Sequence, residues 1–395
     1  MSKLSEMIAR LCPNGVEYKK LGEIAETGLA KIARGNVISK KDIQSNPGNY
    51  PIYSSSATGD GEFGRYGKYM FEEELVTWSI DGGGKFFYRE RKKFSVTNVC
   101  GYIRVENSKV LLPKFLYHVL ASQWATKSYD YTHKALPSTI IDDYSIPLPP
   151  LPVQREIVQI LDNFANLTAE LTAELAKRKK QYEHYREKLM QFDADVPFVP
   201  LNTLFPLIRN GFVGTVTKYF TEKENGIRYL EGKNIHNGVI ADNEELYVAK
   251  EFHQKHIKSE LKADDILMVQ SGHIGECAVV GEKYKGSNCH ALIIMSNGGK
   301  CISKFYVHYF YTVQGMQHLK PAITDGNLKH VLAGKMGFVK VPYPPIEKQV
   351  QIVKTLDHFE QLCNSLTEGL PAEIELRKKQ YEYYRDKLLS FKEAS

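Results

Sequence analysis

At 395 residues the chain is long enough for two or three domains, and its 43% apolar residues supply their cores, which excludes a disordered tail. Fifty-two Lys and Arg against 46 Asp and Glu leave a net charge of +6, a surplus that permits a polyanionic partner but falls far short of a histone-like chain. No run of 18 apolar residues occurs, the opening MSKLSEMIARLCPNG lacks the apolar core of a signal peptide, and the six cysteines form no C-x-x-C pair, so the expectation is a cytoplasmic chain with free thiols and no membrane contact.

Residues 1–146 are rich in Gly, Tyr, Val and Ile, and short apolar runs such as YMFEEELVTWSI and NVCGYIRV, bounded by turn residues, predict strands. The intervening stretches concentrate the side chains that reach nucleic acid: Arg and Lys for phosphate or guanine, Asn and Gln for adenine, Ser, Thr and Tyr for backbone or base. Here the candidates are Lys31 and Arg34 in GLAKIARGN, Tyr53 and Ser54 in YPIYSSSATG, Arg65, Lys85, and the run Arg89, Arg91, Lys92 and Lys93. His133 and Lys134 in YTHKALPS extend the set.

Residues 147–192 change texture. Proline in PLPP blocks any upstream helix, and a helical period with Lys and Glu on the outer face follows. With Ile157 at a d position, Leu161, Thr168, Leu175, Tyr182 and Leu189 fall at a, and Phe164, Leu171, Arg178, Tyr185 and Phe192 at d. All but Thr168 and Arg178 are apolar, which is a coiled-coil seam in need of a partner helix. Packing within that seam is the reading for the tyrosines, with stacking on bases as its rival.

Residues 193–341 return to the first texture, with strands predicted at ADDILMVQSG, ECAVVG and CHALIIM. Their candidate DNA contacts are Arg209 and Asn210, Lys218, Lys233 and Asn234, Gln270, Ser271 and His273, and Asn327 and Lys329. The final region, 342–395, shows that the chain is one unit used twice. Its RKKQYEYYRDKLLSF matches RKKQYEHYREKLMQF, 199 residues earlier, at 11 of 15 positions, and PYPPIEKQVQIVKTLDHF matches PLPPLPVQREIVQILDNF at a separation of 195. A fainter echo joins KFLYHVL to KFYVHYF. The second seam runs through Ile352, Leu356, Phe359, Cys363 and Leu366, meets Gly369-Leu370-Pro371, and resumes out of phase at Ile374, Tyr381, Tyr384, Leu388 and Phe391, so a helix end and restart are expected there.

The fold class is therefore α+β: two mixed α/β domains joined by two long helical regions packed as an antiparallel coiled coil with pseudo-two-fold symmetry. The stretch from Thr168 to Phe192 would span about 37 Å as a helix. Half-sites one turn apart on DNA lie about 34 to 36 Å from each other, so such a rod can act as a ruler between two readers. The net positive charge lies on the two β-rich regions, 20 basic against 16 acidic groups in 1–150 and 17 against 15 in 193–341, while the helical regions balance.

Catalytic signatures are missing. Asp81-Gly82-Gly83-Gly84-Lys85 has the wrong spacing for a phosphate loop, and no Asn precedes the proline pairs as an amino-methyltransferase requires. Glu231-Gly232-Lys233 has no upstream Asp that would make it a nuclease motif, and His253 with His256 has no acidic or Cys partner pattern, so no metal site is expected.

The opening LCPNGVEYKKLGEI, the two divergent domains, the PLPPLPVQ and PYPPIEKQ elements leading into IVxxLDxF, and the RKKQYExYRxKL tracts together resemble the specificity subunit of a type I restriction-modification system over essentially the full chain. The LTAELTAEL repeat (Leu167 to Leu175) is similar to the type IC branch. The resemblance implies that each divergent half is a target-recognition domain, and that the helices form a spacer docking two methyltransferase subunits, with an outer contact to restriction or motor subunits. It also implies that double-stranded DNA is the ligand, that this chain catalyses nothing and binds no cofactor, and that S-adenosylmethionine, ATP and Mg belong to the partners. The rival readings are the specificity subunit of a bifunctional type II restriction-methylation enzyme, a coiled-coil scaffold with no DNA role, and a self-sufficient nuclease.

Overall fold

The computed structural model describes residues 3–56, 59–130, 134–193, 195–325, 329–364 and 370–394. The chain divides into two compact units, one made of Met1–Thr172 with Glu373–Ser395 and the other of Ala173–Ala372. Each unit joins one β-rich domain to helical segments from both repeats, so the units cut across the boundaries that sequence texture suggests.

In the first unit, the strands order as Ala30–Arg34, Cys100–Val105, Leu75–Ser79 and Phe86–Arg89 in an antiparallel sheet. A second sheet orders Glu62–Tyr66, Tyr50–Tyr53 and Ser95–Val96, the last pair parallel. Leu75 to Ser79 is wholly buried, and its Val76 and Trp78 meet helix Pro113–Trp124 through Phe115, Leu116, Val119 and Leu120, a helical stripe of apolar residues. Proline in the first turn of that helix replaces a backbone N–H that would have had no intrahelical partner. Strand Tyr18–Lys20 pairs with Ser145–Pro147 and so brings the start of the domain to its end.

The second unit repeats both sheets in the same order and adds a two-stranded one, Ile235–His236 with Val239–Ile240. Leu207–Asn210, Leu292–Ser296, Ile266–Val269 and Cys277–Val279 form the four-stranded sheet, and Leu246–Ala249, Gly226–Leu230 and Asn288–Cys289 the three-stranded one, again ending in a parallel pair. Helix Ser303–Phe310 takes the place of Pro113–Trp124, and Phe198–Pro200 pairs with Lys340–Pro342. The repetition that the sequence displays in its helices therefore extends through both domains.

The first helical region is one helix, Leu151–Leu189, and the second is two, Ile346–Asn364 and Leu370–Leu389, the latter with Pro371 in its first turn. The end and restart expected at Gly369-Leu370-Pro371 falls at residues 365–369, which lie outside the described residues together with the side chain of Cys363. In the first unit Phe164 stacks on Tyr384 at 5.3 Å, and Ile157 and Leu161 share a core with Leu388 and Leu389. Early residues of one helix thus meet late residues of the other, the antiparallel sense predicted. In the second unit Tyr185 stacks on Phe359, also at 5.3 Å, and Tyr182 and Leu189 join the core of Ile352 and Leu356. Thr168, Leu171, Leu175 and Arg178 are half-buried on the same stripe. Two seam assignments need correction. Phe192 and Phe391 lie beyond the helix ends at Leu189 and Leu389, where the chain turns back to its domain, and Phe192 packs on Phe305 instead of continuing a heptad.

The proline elements recur for a reason visible in the packing. Gln154 is fully buried: its amide donates to the carbonyls of Pro149 and Val110, both at 2.8 Å, and accepts the Leu112 N–H at 2.9 Å. Gln349 does the same with the Pro344 carbonyl and the Ile302 N–H. Each glutamine ties the start of a spacer helix to the residue that precedes a domain helix, so no buried polar group there is left without a partner.

Candidate nucleic-acid interface

Three loops converge in each unit because the two sheets place them at the same edge. In the first unit they are the turn after Tyr53, the turn between Leu75–Ser79 and Phe86–Arg89, and the segment after helix Pro113–Trp124. Ser79 Oγ donates to the Ser55 carbonyl at 2.7 Å, Thr97 Oγ1 donates to Ser54 Oγ at 2.9 Å, and Trp124 Nε1 donates to the Gly83 carbonyl at 2.7 Å. Lys134 pairs with Asp81 at 2.9 Å. The glycines that read as a failed phosphate loop have a steric cause. A Cβ on Gly82 would stand 2.0 Å from the Ser55 carbonyl oxygen, and one on Gly84, at φ +75°, would stand 2.4 Å from the Tyr129 ring.

In the second unit the corresponding segments are Glu231 to Asn234, whose Gly232 lies against the Val269 side chain, Gln270 to Gly275, and the described residues Thr324, Asp325, Lys329 and His330. Ser271 bridges to His330, and the Val331 N–H donates to the Gln270 carbonyl at 2.9 Å. Ser271, His273, Lys329 and His330 are exposed side by side on this edge, and Gln270 is half-buried beneath them. The structure thus joins candidates about 60 residues apart in sequence, and adds His330, whose only signal is its place beside Lys329. Asn327 and His133 lie outside the described residues.

The first unit also holds a cleft of about 640 Å³ lined by Tyr50, Tyr53, Arg65, Arg89, Lys92 and Lys93 together with Asp60, Glu62 and Glu90. Five of these are predicted contacts; Tyr50 is new, as is its neighbour Tyr69, whose ring lies 4.6 Å from Lys93 Nζ. The cleft's charge is partly balanced internally. Arg65 grips Glu62 through two hydrogen bonds of 2.8 and 2.9 Å, and Lys92 pairs with Glu90 at 2.7 Å. Arg89 is 6% exposed: its guanidinium lies 3.5 Å over the Tyr53 ring, Nε donates to Thr77 Oγ1, and burial lowers its pKa from the usual arginine value. It is a floor of the cleft, and Lys92 is exposed in its lining; Arg91 is exposed beside it in sequence but does not line it.

Other candidates are distributed differently. Lys31 and Arg34 are exposed on the edge strand Ala30–Arg34, and Lys218 and Asn210 are exposed in the second unit. Lys85 lies 5.2 Å from the Phe87 ring. Arg209 and Asn234 do not face outward as readers. Arg209 donates to the carbonyls of Lys258 and Glu260 and to Ser296 Oγ, at 2.7 to 2.9 Å, and sits near the buried Asp265. Asn234 is fully buried, accepting the Glu231 N–H and donating to the Asn243 carbonyl. Both are correct as polar residue types and wrong as surface, because alternation along a strand and a turn cap point them inward. Lys233 is held between Glu231 and Glu244, an internal ion pair with no nuclease geometry. His253 faces Glu260 while the His256 ring packs at a tilt against Phe212 and Phe252, so the two imidazoles serve different contacts.

No helix among the described residues is long and apolar enough to cross a membrane. The type I restriction modification DNA specificity domain matches the chain twice, over residues 13–178 and 201–376. A putative type I restriction enzyme specificity subunit of Haemophilus influenzae is 31% identical over 400 residues, covering 95% of this chain and 96% of that one. The specificity subunit of an Escherichia coli type I restriction enzyme is 34% identical over 304 residues, 72% of each chain. Among solved structures, the S subunit of a type I system from M. genitalium aligns over 95% of both chains with a TM-score of 0.53 at 18% identity. A chain from a structure of type I R-M complex assembly and conformational transition gives 0.58 at 15% identity, covering 95% of this chain and 98% of that one.

Proposed function

The chain belongs to the type I restriction-modification DNA specificity family and is a DNA-recognition subunit of that kind; from that premise we propose that each unit reads one short half of an asymmetric, two-part site through its three converging loops. The observation that carries this reading is the same loop edge built twice on one topology with different side chains: Ser54, Asp81 and Lys134 in the first unit, Lys233, Ser271, His273 and Lys329 in the second. One scaffold with two chemistries suits two unlike sequences on one duplex. The exposed lysines and arginines of the rim would hold phosphates and set register, and the polar loop tips would meet base edges.

The chain itself carries out no chemistry in this reading. It directs two methyltransferase subunits, docked on the helices, and restriction or motor subunits outside them, all in the cytoplasm; S-adenosylmethionine, ATP and Mg belong to those partners. The type IC branch is supported by the LTAELTAEL tract inside the uninterrupted helix Leu151–Leu189. The test is co-expression with the neighbouring methyltransferase, followed by mapping of methylated plasmid sites. Methylation at one split, asymmetric sequence is expected. A complex that binds DNA with no dependence on salt, or leaves every site unmodified, contradicts the proposal, since phosphate contacts release counterions and weaken steeply between low and moderate ionic strength.

A further inference from the structure

The three repeated motifs meet at one point in each unit. In the first, His118 of helix Pro113–Trp124 is 2% exposed; its Nε2 lies 3.6 Å from Asp162 Oδ1, and its Nδ1 lies 3.5 Å from the Tyr381 hydroxyl. Lys114, one turn earlier, pairs with Asp162 at 2.8 Å. In the second, His308 of helix Ser303–Phe310 is also 2% exposed, with Nε2 3.1 Å from Asp357 Oδ1 and Nδ1 3.4 Å from the Tyr182 hydroxyl. Lys304 pairs there with Glu360 at 2.9 Å. Glu360 has Ala165 as its counterpart, so in the first unit Asp162 serves both lysine and histidine, and its distance to the histidine is the longer.

The tyrosines cross over. The domain of the first unit receives its aspartate from the helix that follows it and its tyrosine from the second repeat; the domain of the second unit receives its aspartate from the second repeat and its tyrosine from the first. A second pair of contacts obeys the same rule: Ser122 Oγ donates to Asp386 at 2.9 Å, and the Val313 N–H donates to Glu187 at 2.9 Å. His308, Asp357 and Glu360 are close enough to hold a metal ion, but the Lys304 ammonium already neutralises Glu360, which disfavours a cation.

We propose that these Lys–His–Asp–Tyr nodes are positioning residues for DNA recognition, each fixing the angle at which a recognition domain stands on the helices of both repeats. A buried imidazole held between two spacer segments is a three-way joint: His308 has a hydrogen-bond partner on each ring nitrogen, while His118 is bonded through Nδ1 and its Nε2 only faces Asp162 at 3.6 Å, so in either unit a roll of the domain helix separates the histidine from the aspartate on one segment or from the tyrosine on the other. Among the described residues none of the joint's hydrogen bonds or ion pairs reaches a loop of the DNA-facing edge, so it controls where a reader points and leaves untouched what it reads. This inference rests on the reading of the chain as a DNA-recognition subunit.

The test uses the complex with the methyltransferase carrying Tyr381→Phe, Tyr182→Phe or both, and Asp357→Asn as a second route to the same node. Each complex is assayed for methylation on the natural site, on sites whose unread gap is one base pair longer or shorter, and on sites with single changes in either half. The expected result is that preference for the natural gap falls about three- to tenfold per variant, the size of one lost hydrogen bond, while base preference within both halves is kept. Unchanged gap preference in all variants, or an equal loss on every substrate, would overturn the inference. A wild-type complex that methylates no split site would overturn the DNA reading first and this inference with it.

Discussion

Gln154 and Gln349 are small groups with large consequences, because Gln154 satisfies three backbone groups and Gln349 two that packing has removed from water. Gln154→Ala leaves the Leu112 N–H and the Pro149 and Val110 carbonyls unpaired in the first unit, a loss of about 3 kcal/mol at the usual cost of buried unsatisfied groups. Denaturant unfolding of the full chain should show it, and a loss under about 1 kcal/mol would mean that water or rearrangement replaces the amide. The buried histidines make a separate, pH-dependent contribution. Desolvation lowers the pKa of His118 and of His308 below the unfolded value, so the unfolded chain binds the extra protons. Their stabilising contribution is therefore complete above about pH 6.5 and is lost as pH falls toward the folded pKa values. The melting temperature should decline on the acid side of that point and decline less in a His118→Gln, His308→Gln double variant; parallel curves would contradict this. At this scale the sequence is legible by residue type but not by direction. Lys329 and His273 are exposed, whereas Arg209 and Asn234, chosen on the same chemical grounds, are turned inward by strand alternation and by a turn cap.

The helices were the most legible elements, since a heptad stripe is written directly in side-chain spacing, and Leu161, Phe164, Tyr182 and Tyr384 take up the packing that spacing predicts. The turn-back at Phe192 and Phe391 was not legible, because an apolar residue in heptad phase looks the same whether the helix continues or the chain folds over onto its domain. Strands could be located from their apolar runs, but the order that brings residue 55 beside residue 82, and residue 271 beside residue 330, depends on pairings between distant segments that no local pattern encodes. The LTAELTAEL tract lies within the uninterrupted helix, so one four-residue insertion adds about 6 Å of helix. Inserting one LTAE unit should lengthen the unread gap of the methylated site, and deleting one should shorten it. A variant that keeps the original gap would show that the tract does not set it.

Across the whole molecule the repeat explains both the sameness and the difference of the two halves. Their strand orders coincide although their sequences have diverged, because a topology tolerates any side chains that keep the buried faces apolar. The helical tracts that stay alike in sequence make equivalent contacts in different units, through Tyr182, Glu187 and Tyr185 in one and Tyr381, Asp386 and Tyr384 in the other. Sequence alone revealed the duplication plainly in those tracts and only faintly in the domains, where KFLYHVL echoes KFYVHYF. The central claim is that two unlike readers on one chain recognise separate halves of one site. Its most direct measurement replaces Ser271 and His273 with alanine, leaves the first unit intact, and maps every site methylated by the resulting complex. The account predicts relaxed or altered sequence in one half only, with the other half and the gap unchanged; loss of preference in both halves together, or in neither, would contradict it.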